Sequence, residues 1–494
     1  MWQYNSQPDP NLGGQTPNLW QGRVFGGGTA TNAMLYCRGA SSVFDEWAKI
    51  SGNNGLAWNS LLQDFKATSH YTYQPADYSQ VVNTSVYGNG PLEVSRSSGL
   101  TGFDMPFANA LESALGLEQV DMTDGTGIGI DLGLGSIRVS NRTRSYARNT
   151  FGYSMANRPN VQLIHNAWVQ HIGFSGITAQ NVTYIDTLNN QTHTIIAKEI
   201  IVSAGAIHSP KLLMLSGVGP KNRLSALKIP VVADIPDIGS NLYDHHYSVV
   251  EVEVTDNIET VWQWSQNATE VALAKAEYAA NSSGPLGWNN GDVYAGARIP
   301  DSVFQAVNNT YYPSIPKDRP QVFYEYSTAP FIQPAPNVSI VSAWATLVQP
   351  EATGYLTLNS SDYQDSPLIY SNYYGSAGDK TAIMYAYKQL RSILQSNDLN
   401  SVVVKEIFPG PDVKTDAQIW QAIQQTGSSF HHPVGTVALG KVLDSNWRIK
   451  GLDGIRVVDS SSVPTPPTCH PQADIYAIAH RAAQDIAQAD GRSY

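Results

Sequence analysis

The sequence predicts two domains, one α/β and one α+β with a mostly antiparallel sheet, and three observations carry that expectation. At 494 residues and 42% hydrophobic content the chain is too long for one simple core. From Lys198 to Gly219, KEIIVSAGAIHSPKLLMLSGVG runs from an apolar strand through a glycine turn into a helix. This is how α/β folds present ligands at the carboxyl end of a strand. Beyond residue 250 the composition shifts to alternating runs rich in Val, Tyr, Thr and Trp, namely VEVEVTDNI, QVFYEYS, NVSIVSAWATLVQP and GYLTLNS, separated by Pro/Asn/Gly loops. Such alternation suits an antiparallel sheet with helices on one side.

Taken in order, residues 1–20 read as an extended segment. GRVFGGGTATNAMLYCRG, Gly22 to Gly39, then sets three glycines in a row, which lets backbone approach a ligand closely. It is not the dinucleotide fingerprint, which needs a buried strand before it and an acidic residue about twenty positions later. FDEWAKI, WNSLLQDFKA and FANALESALGL carry helical spacing, and GPLEVS and GSIRVS read as strands. A helix, a strand VQLIHN and a strand WVQHI follow between 143 and 172, with His165 and His171 as ordinary strand histidines. In the Ile200–Gly219 stretch, Ser209 is expected as the helix N-cap with Pro210 at the first helical position. Helices are also expected at about 266–280 and 378–396. Near the end, SSFHHPVGT and PTCHPQADIYAIAHRAAQDIAQ place two histidines in turns, the second directly before a helix with Pro471 at its first position. A helix N-terminus offers free N–H donors and partial positive charge, so the group docked beside His470 is expected to be electron-rich.

Composition narrows the class. Net charge is −11, and no run of five or more Lys/Arg exists, so nucleic acid and anionic membranes are not expected partners. No apolar run is long enough to span a bilayer, which takes roughly 18 residues. Cys37 and Cys469 are expected as two buried free thiols, with a single bridge as the alternative. The sequons at Asn83, Asn141, Asn181, Asn190, Asn267, Asn281, Asn308, Asn337 and Asn359 point to a secreted glycoprotein. MWQYNSQPDPNLGG has neither a basic start nor an apolar core and is not expected to be the signal peptide this requires. His245 and His246 invite a metal, but no ligand spacing supports one, and no metal is expected.

Gly22-Arg23-Val24-Phe25-Gly26-Gly27-Gly28-Thr29-Ala30-Thr31-Asn32 resembles the first signature of the GMC (glucose–methanol–choline) oxidoreductase family, with Thr31 where an aliphatic residue is usual. Gly205 to Gly219 resembles the second signature throughout. WQYNSQPDPNLGG is similar to the approach to the first motif in aryl-alcohol-oxidase-like members, and IPDIGSNLYDHH resembles the segment that follows the second. The resemblance implies an FAD-binding domain from residues 1–60, 143–250 and 430–494, and a substrate domain from 61–142 and 251–429. It implies that Gly28, Asn32, Ala33 and Leu35 line the FAD and that Val169 meets the adenine. Asp459 and Ser460 (where Gly or Ala is commoner) would approach the ribityl–pyrophosphate side, and Gln472 and Ala473 would put N–H groups at the pyrimidine edge. His432, opening HPVGT, is then the catalytic base, with His431 its rival, and His470 the partner that aligns the substrate. His208 falls at a variable position and receives no role.

The chemistry is consistent with that assignment. Oxidising an alcohol takes a base of near-neutral pKa for the hydroxyl proton. The hydride needs an electron sink that no side chain provides, hence a cofactor. The expected function is FAD-dependent oxidation of a CH–OH group of a small alcohol, with oxygen or a quinone as electron acceptor. A lyase or cyclising synthase of the same fold without net redox, or an inactive truncated fragment, are the alternatives. Trp262, Trp264, Tyr326 and Phe331 are candidates to line an aromatic substrate, against an ordinary packing role. The resemblance also implies an N-terminal βαβ unit with a G-x-G-x-x-G turn, which this sequence does not show. Weak FAD binding or low stability is therefore expected of residues 1–494 alone.

Overall fold

The computed structural model describes residues 1–75, 82–288, 291–332 and 338–492. Its largest sheet lies where the alternating runs predict one. The strands run in the order Val403–Phe408, His246–Val254, Ile340–Leu347, Val322–Ser327, Tyr294–Ala297 and Gly129–Asp131, with Ser428–Ser429 pairing the start of His246–Val254. All these pairings are antiparallel. Ile340–Leu347 is buried at every position, because helix Ala377–Leu394 packs along it. That helix starts on Ser376, whose side chain accepts the Asp379 N–H. Register fixes a row across the sheet: Asp131 opposes Tyr294, Tyr294 opposes Glu325, and Glu325 opposes Trp344. Directly opposed residues point to one face, so four strands deliver these side chains side by side.

The second region is built around a parallel pair, Ile200–Val202 with Ile455–Val457, and a three-stranded antiparallel sheet, Ala167–Ser175, Thr178–Asp186 and Thr192–Ile196. After Val202 the chain turns at Gly205 (φ 84°) into helix Gly205–Leu215. This helix begins five residues earlier than expected. Ser209 is not its N-cap, and Pro210 lies inside it. The proline removes a helical N–H, and the carbonyl it would have served, that of Ala206, accepts the Thr436 hydroxyl at 2.6 Å instead. Ser209 Oγ donates to Asp459 and accepts the Ala204 N–H.

The stretch 161–166, expected as a strand, has no ladder partner and is irregular; the strand begins at Ala167. The stretch 135–140, also expected as a strand, forms isolated bridges instead, Gly135 to Leu35 and Ser95 and Ile137 to Arg144. Pro471 is the N-cap of helix Gln472–Ala489 and not its first residue. This helix is held on helix Trp58–Thr68 by Asp64, which accepts from His480 Nδ1 at 2.6 Å and from Arg481 at 2.7 Å. Cys37 and Cys469 are bridged, which overturns the expectation of two free thiols. The cysteines stand on segments 432 positions apart, and no local spacing shows that the fold brings them together. No helix of the described residues is long and apolar enough to cross a membrane.

Candidate active site

The two turn histidines meet. The rings of His432 and His470 stand perpendicular with centroids 5.0 Å apart, and Phe430 packs against both at 5.0 and 5.2 Å. The neighbouring His431 points elsewhere. It has a left-handed φ of 60°, lies flat on the Trp20 ring and accepts the Trp20 N–H.

His432 is held at its main chain and at its ring. Asp244 Oδ1 accepts the His432 N–H at 2.9 Å, while Oδ2 accepts the hydroxyls of Ser429 and Tyr373. Burial pushes the Asp244 carboxyl up to about 6. The His432 ring meets His245, Nδ1 to Nδ1, at 3.0 Å, and His245 Nε2 lies 2.9 Å from the Pro467 carbonyl. Burial, assisted by the neighbouring histidines, holds His432 well below the ordinary histidine range, and burial lowers His245 to about 3. Both rings are therefore neutral near pH 7.

His470 has a different surrounding. Its Nε2 lies 2.9 Å from Glu325 Oε1, and Glu325 Oε2 accepts Trp344 Nε1–H at 2.8 Å. The row across the sheet thus reaches the site through Glu325, with Tyr294 edge-on to His470 at 6.2 Å. The His470 N–H points to Cys37 Sγ at 3.3 Å, so the disulfide lies directly behind the histidine. An aromatic path leads outward, Phe430 to Trp344 at 5.9 Å and Trp344 stacked on Phe331 at 5.1 Å. Phe331 is exposed at its outer end. Of the other aromatic candidates, Tyr326 is a core residue bonded to Asp104 and packed on Phe103 and Phe107, and Trp262 and Trp264 sit half-buried on the short helix Val261–Gln266.

The remaining predicted site residues fall into two groups. Gln472 and Ala473 open helix Gln472–Ala489 in a buried first turn that no side chain caps. Gln472 Nε2 donates to the carbonyls of Met34 and Leu35, which fastens the Asn32–Leu35 segment against this helix start. Asn32 Oδ1 accepts from Met34 N–H and Arg144. Ala33 and Gly28 are exposed. A Cβ placed on Gly27 or Gly28 would meet nothing within 4 Å, whereas one on Gly22 would strike Gly27 at 2.4 Å. The loop is folded tightly on Gly22 and leaves Gly27 and Gly28 facing open space.

Asp459 and Ser460 follow strand Ile455–Val457. The Asp459 carboxylate takes Gly205 N–H, Ser209 and Ser461, and Ser460 Oγ takes Ala206 N–H, so both side chains are engaged in holding the glycine turn. Val169 lies on strand Ala167–Ser175, which packs on helix Gly205–Leu215. Among the described residues, no hydrogen bond joins it to the histidines.

Sequence reasoning missed Glu325, Trp344 and Phe430, and set His245 aside after weighing a metal. The adjacent Asp-His at 244–245 was the available signal for His245. Glu325 carried none, because its partner is 145 positions away.

A GMC oxidoreductase profile matches residues 11–247 and a second GMC oxidoreductase profile matches residues 350–479. Patulin synthase of Aspergillus clavatus is 30% identical, over 99% of this chain and 81% of its own length. The structure is similar to an FAD-dependent oxidoreductase from Chaetomium thermophilum, with TM-score 0.90 and 25% identity, covering 100% of this chain and 91% of that one. It has the fold of a fungal aryl-alcohol oxidase, with TM-score 0.87 and 24% identity, covering 99% of this chain and 90% of that one.

Proposed function

This chain belongs to the GMC oxidoreductase family, whose cofactor is FAD, and on that premise we propose that it oxidises the CH–OH group of a small alcohol, with His432 as the proton acceptor. The observation that carries this reading is the unequal pair: two histidine rings 5.0 Å apart, one buried against Phe430 and the neutral His245 ring, the other on a carboxylate. Environments that differ in this way separate a proton acceptor from the residue that aligns the substrate.

The residues present fit a flavin. The buried, uncapped start of helix Gln472–Ala489 offers N–H groups and partial positive charge to an electron-rich ring edge. The Gly27–Gly28 surface leaves room for close approach. Gln472, Ala473, Leu35 and Gly28 would hold it, with Asn32 and Ala33 on the same segment, and Val169, Asp459 and Ser460 farther along. When bound, FAD supplies the hydride acceptor that side chains lack.

The protein's own part is the proton. His432, neutral, takes the hydroxyl proton as the carbon–hydrogen bond weakens. His470, oriented by Glu325, lies beside the substrate oxygen and aligns it toward His432. Phe430 and Trp344 exclude water and favour an apolar or aromatic substituent on the alcohol. The electron acceptor is oxygen or a quinone. Exposed sequons at Asn141, Asn190, Asn267, Asn281, Asn308 and Asn359 support a secreted glycoprotein; Asn337 lies outside the described residues.

The test is anaerobic addition of aromatic and aliphatic primary alcohols to the FAD-loaded protein. Bleaching of the flavin absorbance is expected, and in His432→Ala its rate should fall by roughly 10²–10⁴. Product without bleaching would instead assign a reaction without net redox, and undiminished bleaching in His432→Ala would remove His432 as the base.

A further inference from the structure

His245 belongs to no motif that names a role, yet it is the group in ring-to-ring hydrogen-bond contact with His432. A carbonyl oxygen only accepts, so the 2.9 Å contact to Pro467 O places a hydrogen on His245 Nε2. A neutral imidazole has one ring hydrogen, so His245 Nδ1 is a bare acceptor. The 3.0 Å contact between the two Nδ1 atoms needs one hydrogen between them, and His432 must supply it. The hydrogen of neutral His432 is then on Nδ1, and its Nε2 carries a lone pair.

From this geometry we propose that His245 is a positioning residue that sets the tautomer of His432, so that a lone pair at Nε2, and not an N–H, is presented to the substrate hydroxyl. The proposal rests on the reading of His432 as proton acceptor. In the step it serves, the hydroxyl proton moves to His432 Nε2, while His432 Nδ1–H stays bonded to His245 and stabilises the resulting imidazolium. The chain of bonds closes on the other histidine: Pro467 is three positions before His470, and Gln349 Nε2 donates to the carbonyls of Pro466 and Pro467. The loop that carries His470 therefore also orients His432. Asp244 fixes the His432 main chain while its neighbour His245 fixes the ring, which gives the consecutive pair one joint task.

The test uses the FAD-loaded full chain labelled with ¹⁵N-histidine. Long-range ¹H–¹⁵N spectra, with His432 identified by the signals lost in His432→Asn, are expected to show a protonated Nδ1 and an unprotonated Nε2. Hydrogen on Nε2 overturns the proposal. His245→Asn keeps an acceptor oxygen near the Nδ1 position, and His245→Leu does not. The Asn variant is expected to keep kcat within about threefold of the parent, while the Leu variant loses roughly 100-fold in kcat with KM nearly unchanged. Equal loss in two folded, flavin-loaded variants overturns the proposal. Should the Leu variant not fold, the parent spectrum still decides. Full turnover in His432→Ala would sink the base assignment alone, since the tautomer is read independently of activity.

Discussion

At the scale of single residues the site is an exercise in desolvation. His432 and His470 are both histidines in turns, and what separates them is the company each keeps. Burial strips His432 of water, and any charge gained by a neighbouring histidine would oppose its own, so its neutral form is favoured. The sign of the pH effect follows. A base must be unprotonated to accept, and a lowered pKa keeps it so throughout the neutral range. The acid limb of kcat/KM is therefore expected below pH 6.5, with loss of activity only as pH falls through the lowered value. A profile that drops already above pH 7 on the acid side would contradict this. The same reasoning applies to His208, held down to about 4 chiefly by burial and bonded to the Tyr4 hydroxyl. Its folded pKa is depressed, so the stability it lends is full above pH 6.5 and is lost as pH falls toward 4. Comparing urea midpoints of the parent and His208→Gln, the difference should be smaller at pH 5 than at pH 7; equal differences would refute the assignment.

At the scale of elements, each part of the site is held by a contact from a distant element. Strand pairing puts Tyr294, Glu325 and Trp344 abreast, so one carboxylate reaches His470 without any local motif. The C-terminal helix must hold its start in place against the site, and Asp64 on the facing helix anchors it two turns farther on through His480 and Arg481. Asp64 is fully buried. Removing one member of a buried charged network leaves the others uncompensated, so Asp64→Ala is expected to cost about 3–5 kcal/mol in urea unfolding. A loss below about 1 kcal/mol would show that the contact does not anchor the helix.

At the scale of the whole molecule the site is a closure. The Met34–Cys37 segment that follows the glycine loop, the large sheet in the middle and the start of the last helix meet around His470, and the Cys37–Cys469 bridge ties the first of these to the turn before the last. A link across so long a chain restricts the unfolded ensemble strongly. Cys37→Ser with Cys469→Ser is expected to lower stability by about 2–4 kcal/mol. It should also disturb His470, whose N–H rests on Cys37 Sγ, so alcohol turnover should fall with stability in the double variant. Unchanged melting in both reduced and oxidised samples would exclude a structural role.

Sequence alone determined whatever is written in consecutive residues. The Gly22–Gly28 loop, the strand–turn–helix at Ile200–Leu215, the alternating strands and the helix starting at Gln472 are all local, because period, glycine freedom and helix-end polarity act within one turn or one strand. The histidine pair was legible for the same reason, each member sitting in its own turn motif. Where a local rule failed, as at Ser209 and Pro210, a distant hydroxyl on Thr436 and a distant carboxylate on Asp459 had replaced the local partner. The stretch 161–166 was apolar enough for a strand, but a strand also needs a neighbour. Only the tertiary structure decided that Cys37 meets Cys469, that Glu325 belongs to His470 and that His245 faces His432. These are contacts between groups 432, 145 and 187 positions apart. No spacing rule reaches that far, because such distances are set by how sheets and helices pack and not by the order of residues along the chain.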